Sequence, residues 1–216
     1  MIAMILAAGR GERLRPLTEE TPKSLVEVRG EPLLERHLHA LSAAGIERVV
    51  INLGWLGDKV MERIGSGRRF GLGITYSNEG DNILETGGGI HRALPMLGKD
   101  PFLVVNADIY TDMAFSNIAL EESDLAHLVL VPTPPDKDAG DFSLSGGRVR
   151  NAGDELLTFS GVSVYRPEFF AGCSAGRFSV VPLLRRAADA DRIGGSVYAG
   201  LWRDVGTPAR LAELNA

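Results

Sequence analysis

The chain opens on Met1 to Leu6, an apolar run the length of one buried strand and too short to cross a bilayer. Similar runs recur at Arg48 to Asn52, Gly73 to Ser77 and Pro101 to Asn106, and read as three further strands. Between them the pattern takes a helical period. Leu33, Leu34, His37, Leu38 and Leu41 fall on one face of a helix that Pro32 opens and Gly45 ends. A second helix is expected over Gly57 to Ile64. A third is expected over Ile90 to Leu94, after the cluster Gly87-Gly88-Gly89, closing at Pro95 and Gly98. Strand alternating with helix predicts a parallel sheet with right-handed crossovers.

The second half changes character. Leu125 to Val131 and Thr158 to Tyr165 read as strands, and Phe142 to Val149 as a hairpin turning at Gly146-Gly147. Val180 to Ala190 reads as a helix and Ser196 to Ala199 as a last strand. Thr207 as N-cap and Pro208 at the first position start a terminal helix. No repeat, low-complexity segment or composition break appears, so one α/β domain over 1–216 is expected, its second half extending the same sheet. His37 and His39, two residues apart on a helix, point different ways and read as ordinary helix residues, not a metal pair.

Composition narrows this little. A formal net charge of -5 argues against a general nucleic-acid binder, whose surface would be basic. The single cysteine, Cys173, allows no intrachain disulfide, and between Gly172 and Ser174 it reads as a small packing residue. With no charged leader before an apolar core and no spanning run, the expected setting is the cytoplasm, without membrane association.

The chemistry gathers in the loop after the first strand, Ala7-Ala8-Gly9-Arg10-Gly11-Glu12-Arg13-Leu14-Arg15-Pro16, continued by Thr21-Pro22-Lys23. A buried strand feeding a Gly-rich loop sets backbone N–H groups at the carboxyl edge of a sheet, where glycines let the chain approach an anion. Arg10, Arg13, Arg15 and Lys23 make polyphosphate the natural guest. No Gly-Lys-Ser/Thr register is present for a Walker loop, and Leu14 stands where a dinucleotide fingerprint needs its third glycine. Pro16 keeps a helix from starting at once, so the basic residues are expected on an extended loop. Asp108 lies just past the strand 102–106, where ligands of open parallel sheets bind, and a carboxylate there facing the loop suits Mg²⁺. Asp204, by its local sequence alone, could pair with Arg203 or cap the next helix.

The stretch Leu6 to Thr18 with Thr21-Pro22-Lys23 resembles the signature of the sugar-1-phosphate nucleotidyltransferases, which join a sugar 1-phosphate to a nucleoside triphosphate and release pyrophosphate. That resemblance implies a Rossmann-like, GT-A-like fold with a mostly parallel mixed sheet flanked by helices. It implies a nucleotide-binding half over 1–110 and a sugar-phosphate-binding half over 111–216. Trp202-Arg203-Asp204-Val205-Gly206-Thr207 is similar to the segment carrying the family's second metal ligand, so Asp108 and Asp204 are the implied Mg²⁺ pair. Arg13 and Lys23 are the implied catalytic cations. The implied nucleotide contacts are Ala8, Gly9, Gly11, Glu12, Arg13, Lys23, Glu79, Thr86, Gly87 and Asn106.

Glu85-Thr86-Gly87-Gly88-Gly89, Trp55-Leu56-Gly57, Gly140-Asp141-Phe142 and Leu157-Thr158-Phe159-Ser160-Gly161 are similar to the subgroup that uridylylates N-acetylmuramate 1-phosphate in cell-wall recycling. The substrates thereby implied are UTP and that sugar phosphate, with Gly140, Asp141 and Ser160 lining the hexose pocket. Glu79 could accept from uracil N3–H or from guanine N1–H and N2–H₂, so its chemistry leaves the base open. Guanylyl or thymidylyl transfer to another sugar 1-phosphate is the alternative activity, and a silent nucleotide-sugar sensor the alternative class. One departure stands out. Many relatives hold the sugar phosphate with a mid-chain lysine, and Ser143 to Leu157 has none; Arg148, Arg150, or Lys23 with the metal are the substitutes on offer.

Overall fold

The computed structural model describes residues 1–80 and 82–216; Asp81, in the polar loop read from the sequence at 78–83, lies outside them. In the first half the elements run β1 (Ile2–Leu6), α1 (Leu17–Glu20), β2 (Glu27–Val28), β3 (Glu31–Pro32), α2 (Leu33–Ala43), β4 (Arg48–Leu53), α3 (Gly57–Ile64), β5 (Gly73–Asn78), α4 (Glu85–Leu97) and β6 (Phe102–Asn106). The second half follows with β7 (Ile109–Thr111), β8 (Ala126–Val131), β9 (Ser143–Ser145), β10 (Arg148–Arg150), β11 (Thr158–Tyr165), α5 (Val181–Asp189), β12 (Ile193–Val197), β13 (Trp202–Asp204) and α6 (Pro208–Asn215). A nine-stranded sheet has the order β5-β4-β1-β6-β11-β8-β12-β10-β9. β5, β4, β1 and β6 are parallel, as the alternating pattern predicts. β11 reverses direction between β6 and β8, and β12 pairs parallel to β8.

The β1 run is continuously apolar because both faces of the sheet are covered. Ala3 and Ile5 pack toward Leu34, Leu38 and Leu41 of α2 and Val60 of α3. Met4, one residue out of phase, packs on the other face with Ile90, Ala93 and Leu97 of α4. Cys173 is only partly buried, against that second cluster. No helix among the described residues is long and apolar enough to cross a membrane.

Three readings need correction. The last main-sheet strand is Ile193–Val197, earlier than the apolar cue at 196–199, because its residues 193 to 197 pair with β8 from Ala126 to Leu130. The loop at residues 12–25 is not simply extended: it winds through 3-10 turns at Glu12–Leu14 and Lys23–Leu25 and the one-turn helix α1. The glycine cluster is not a turn before a helix. α4 begins at Glu85 and continues through Pro95 to Leu97, so Gly87, Gly88 and Gly89 are helical.

The cause is long-range packing that overrides glycine's weak helix propensity. A Cβ on Gly87 would meet the Phe178 ring at 2.5 Å, and one on Gly88 would meet the Gly176 carbonyl oxygen at 2.2 Å. Gly88 N donates to Phe178 O at 3.0 Å and Phe178 N to Leu84 O at 3.1 Å, so segment 176–180 lies directly on the first turns of α4. Gly88→Ala is therefore expected to destabilise the protein by about 1–3 kcal/mol through overpacking, even though alanine is the better helix former. Urea unfolding of the variant checks this; equal or higher stability would contradict the packing account.

His37 supplies a pH prediction. It is buried, its Nε2 has no hydrogen-bond partner among the described residues, and burial drives its pKa down to about 4. The folded state thus binds fewer protons than the unfolded state between pH 6.5 and 4. Stability is full above the unfolded value and falls as pH drops through that window, by about 3 kcal/mol from this group. Thermal unfolding of His37→Gln should show a flatter pH dependence across pH 4 to 6.5 than the parent; an unchanged slope would contradict it.

Candidate active site

β1 delivers the Gly-rich loop to the carboxyl edge of the sheet. Gly11 takes φ +63, and its missing Cβ leaves room for Thr18 Cγ2 and Lys23 Cβ, which would otherwise lie at 2.9 and 3.0 Å. Thr18 Oγ1 donates to Gly11 O at 2.8 Å, folding the loop back on itself. Trp55 Nε1 donates to Thr18 O at 2.9 Å, and the Arg10 guanidinium lies over the Trp55 ring at 5.7 Å. Leu14 anchors the loop in the core. Lys23 is turned inward, with 14 % of its side chain exposed, and its Nζ forms an ion pair with Asp108 Oδ2.

Two adjoining clefts meet here. The larger, about 960 Å³, is lined by Gly9, Arg10, Gly11, Glu12, Arg13 and Lys23, together with Asn82 to Leu84, Arg177 and Gly206. The smaller, about 220 Å³, is lined by Ala8, Ser24, Asn52, Glu79, Thr86, Asn106 and Asp108. Gly9, Gly11, Lys23 and Ile83 line both, so loop cations and nucleotide-side residues form one continuous concavity. Ser24 Oγ, buried beside Lys23, has no protein partner among the described residues and is free for a ligand.

The carboxylates arrive by strand pairing. β13 runs antiparallel to β7 with Asp204 opposite Ile109, and Val205 N donates to Asp108 O at 2.7 Å. Arg13 and Asp204 flank Gly206: a Cβ there would meet Asp204 Oδ2 at 2.8 Å and Arg13 Nη2 at 3.1 Å. Asp204 does not pair with Arg203. Both its oxygens accept from Arg210 Nη1, at 2.6 and 2.5 Å, and Arg210 Nη2 also reaches Asp136 Oδ2 at 2.7 Å. That guanidinium holds the Asp136 carboxyl below the usual carboxylate range. The N-cap of α6 is Thr207, which accepts from Arg210 N at 3.4 Å.

Among the described residues, no group of three or more His, Cys, Asp or Glu side chains forms a ready metal cage. Two oxygen-only carboxylates beside a phosphate loop fit Mg²⁺, which takes one or two carboxylates and completes its shell with phosphate oxygens and water. Each carboxylate here already has a cationic partner, Lys23 or Arg210, that neutralises it.

Glu79 follows directly on β5. It is buried, its Oε1 accepts from Asn52 Nδ2 at 2.6 Å and its Oε2 from Leu84 N at 2.7 Å. Asn52 Oδ1 in turn accepts from Ala7 N at 2.7 Å, joining the phosphate loop to the start of α4. Asn52 was missed in sequence; the available cue was a polar residue closing an apolar strand, as Asn106 closes β6. Thr86 Oγ1 accepts from Val180 N at 3.0 Å, and Gly87 faces Phe178.

The residues assigned to the hexose lie outside both clefts. Gly140 seats against Leu156, where a Cβ would meet backbone at 2.5 Å. Asp141 accepts from Lys137 Nζ at 2.6 Å and Phe159 N at 2.9 Å. Ser160 is 1 % exposed in the β11 bulge: its Oγ donates to Val129 O at 2.7 Å and accepts from Val162 N at 3.1 Å. The arginines offered in place of a mid-chain lysine are engaged elsewhere. Arg148 binds the fully buried Asp124 at 2.7 Å, and Arg150 binds Asp191 at 2.9 Å. Breaking the first pair would strand a buried carboxylate, so Arg148 is structural.

A Gly-rich cationic loop at the carboxyl edge of a parallel sheet, with Asp108 in its cleft and Asp204 beside Arg13, suits a phosphorylated nucleotide and a divalent cation. Residues 2–144 match the family model described as nucleotidyl transferase. The chain is 49 % identical to an N-acetylmuramate alpha-1-phosphate uridylyltransferase of Neisseria meningitidis serogroup B, covering 100 % of this chain and 97 % of that protein. It is 39 % identical to the Caulobacter vibrioides protein of the same name, covering 98 % and 97 %. A Bacillus anthracis protein solved in complex with sucrose superposes with a TM-score of 0.87 at 19 % identity, covering 100 % of this chain and 94 % of that one. The chain belongs to the nucleotidyl transferase family. Its relatives include sugar-1-phosphate nucleotidyltransferases, the uridylyltransferases among them.

Proposed function

We propose that this protein transfers a uridylyl group from UTP to N-acetylmuramate 1-phosphate, giving UDP-N-acetylmuramate and pyrophosphate, as a cytoplasmic enzyme of cell-wall recycling. The observation that carries the reading is the shared concavity of Arg13, Lys23 and Asp108 in a chain similar over its whole length to a uridylyltransferase. An oxygen of the sugar phosphate attacks the α-phosphorus, a new P–O bond forms, and the α–β bridging bond breaks as pyrophosphate leaves. The attacking phosphate is already ionised, so no side-chain nucleophile or base is needed.

The chain's part is positioning and charge. Backbone N–H groups from Ala8 to Gly11 cradle the phosphates, Arg13 meets the negative charge of the leaving group, and Lys23 meets that of the α-phosphoryl oxygens. To do so Lys23 shifts its ion pairing from Asp108 to the nucleotide. Asp108 and Asp204 would hold Mg²⁺, which when bound polarises the phosphoryl group. Glu79 and Asn52 fix the nucleoside pocket, with Thr86, Gly87 and Asn106 around it and Glu12 at its mouth. Gly140, Asp141 and Ser160 shape the sugar side indirectly, by holding the loop 132–141 and the bulge of β11.

Pyrophosphate release with UTP, GTP or dTTP against a panel of sugar 1-phosphates tests this. Release is expected with UTP and N-acetylmuramate 1-phosphate; release only with GTP would remove the uridylyl assignment, and none with any triphosphate would favour a sensor.

A further inference from the structure

Arg177 stands on the wall of the larger cleft that the Gly-rich loop does not form, next to Asn82 to Leu84. Its place there is built with care. Gly87 and Gly88 leave α4 bare where Phe178 and the Gly176 carbonyl press against it, and a side chain at either position would force segment 176–178 to shift. Backbone bonds Gly88 N to Phe178 O and Phe178 N to Leu84 O then fix the residue that follows Arg177, and Val180 N ties to Thr86 Oγ1 at 3.0 Å. A helix interior gives up about 1 kcal/mol per glycine relative to alanine, so this docking is costly locally.

What the docking presents to the cleft is one guanidinium. The Arg177 side chain is 72 % exposed, and its ion pair is with Glu85 at 2.9 Å, itself 40 % exposed. A solvated pair of this kind contributes little, so the arginine can exchange its carboxylate for a better anion. The other cations lining the same cleft, Arg10, Arg13 and Lys23, all come from the Gly-rich loop and its continuation. The smaller cleft, about 220 Å³ and without Arg177, is the part that suits a nucleoside. The larger one is left for the phosphates.

We propose that Arg177 is a nucleotide-binding residue that closes on the terminal phosphates of the nucleoside triphosphate, and on released pyrophosphate, from the cleft wall that the Gly-rich loop does not form. The proposal rests on the nucleotidyltransferase reading above. An arginine fork on phosphate oxygens is the geometry that gives strong charge-assisted bonds. Because the contact is to the terminal phosphates, a nucleoside monophosphate does not feel it. Glu85 acts as its resting partner and is released when the polyphosphate arrives.

Calorimetric titration of the full chain and of Arg177→Gln with UTP, UMP and inorganic pyrophosphate, each at two salt concentrations, tests this. The variant is expected to bind UTP and pyrophosphate about tenfold more weakly, with a shallower salt dependence, and to bind UMP within twofold of the parent. Glu85→Gln is expected to bind pyrophosphate as well as the parent or better, since it frees the guanidinium. Equal affinity of Arg177→Gln for UTP and pyrophosphate would overturn the proposal. So would a parallel loss of UTP and UMP, which would mark Arg177 as a structural tether of segment 176–180. A parent protein that binds neither UTP nor pyrophosphate would instead remove the polyphosphate site itself, a result the variant cannot mimic.

Discussion

Lys23→Ala is expected to lower kcat/KM by on the order of a hundredfold to a thousandfold, the loss seen when one preorganised donor to a developing negative charge is removed. Lys23 is inward, attached to a loop that Thr18 and Gly11 fold shut, and it lines both clefts. In the proposed reaction its ammonium, once exchanged from Asp108 to the bound nucleotide, meets the charge that grows on the α-phosphoryl oxygens. The loss should fall chiefly on kcat, because Arg10, Arg13 and the loop amides, which line the larger cleft, are left to bind the ground-state triphosphate in the proposed mode. A second readout separates this role from a merely structural one. Lys23 neutralises Asp108 in the absence of ligand, so its removal should leave Mn²⁺ binding intact or strengthen it. If turnover stays within a fewfold of the parent, Lys23 is not the transition-state cation.

Asp108→Asn is expected to reduce turnover by at least about a hundredfold, and to weaken Mn²⁺ binding, measured by electron paramagnetic resonance, by a comparable factor. The amide is close in shape to the carboxylate, so the β6–β7 turn and the bond from Val205 N to the Asp108 carbonyl survive. What goes is one of two oxygen donors suited to the cation, along with the partner of a mostly buried lysine. The two variants therefore differ in a diagnostic way: the lysine variant loses turnover and keeps the metal, and the aspartate variant loses both. Mn²⁺ affinity equal to the parent's in Asp108→Asn would place the cation elsewhere.

Much of this architecture is legible in the chain because local and global preferences agree along it. The apolar run of β1, the Gly-x-Gly turn, and the N-cap Thr207 with Pro208 each carry their structure in a few adjacent residues. The hairpin at Gly146-Gly147 is equally local, with both glycines at positive φ. The misreadings share another cause. The glycines of α4 look like a turn until Phe178 and Gly176, some ninety residues on, are laid against them. Arg148 and Arg150 look free until Asp124 and Asp191 are found beside them. Asp204 was assigned by motif, and only the pairing of β13 with β7 brings it opposite Ile109, the residue after Asp108, with Arg210 as its partner in place of Arg203. In each case the deciding contact joins residues far apart in sequence, which periodicity and turn chemistry do not register.

The central claim is that the sugar phosphate attacks the α-phosphorus directly, with the chain supplying charge and alignment and no covalent intermediate. The stereochemical course at that atom tests it. UTP chirally substituted with sulfur on the α-phosphorus, turned over with N-acetylmuramate 1-phosphate, should give a UDP-sugar of inverted configuration. Retention would require two successive displacements through an enzyme-bound nucleotidyl group, and would contradict the account.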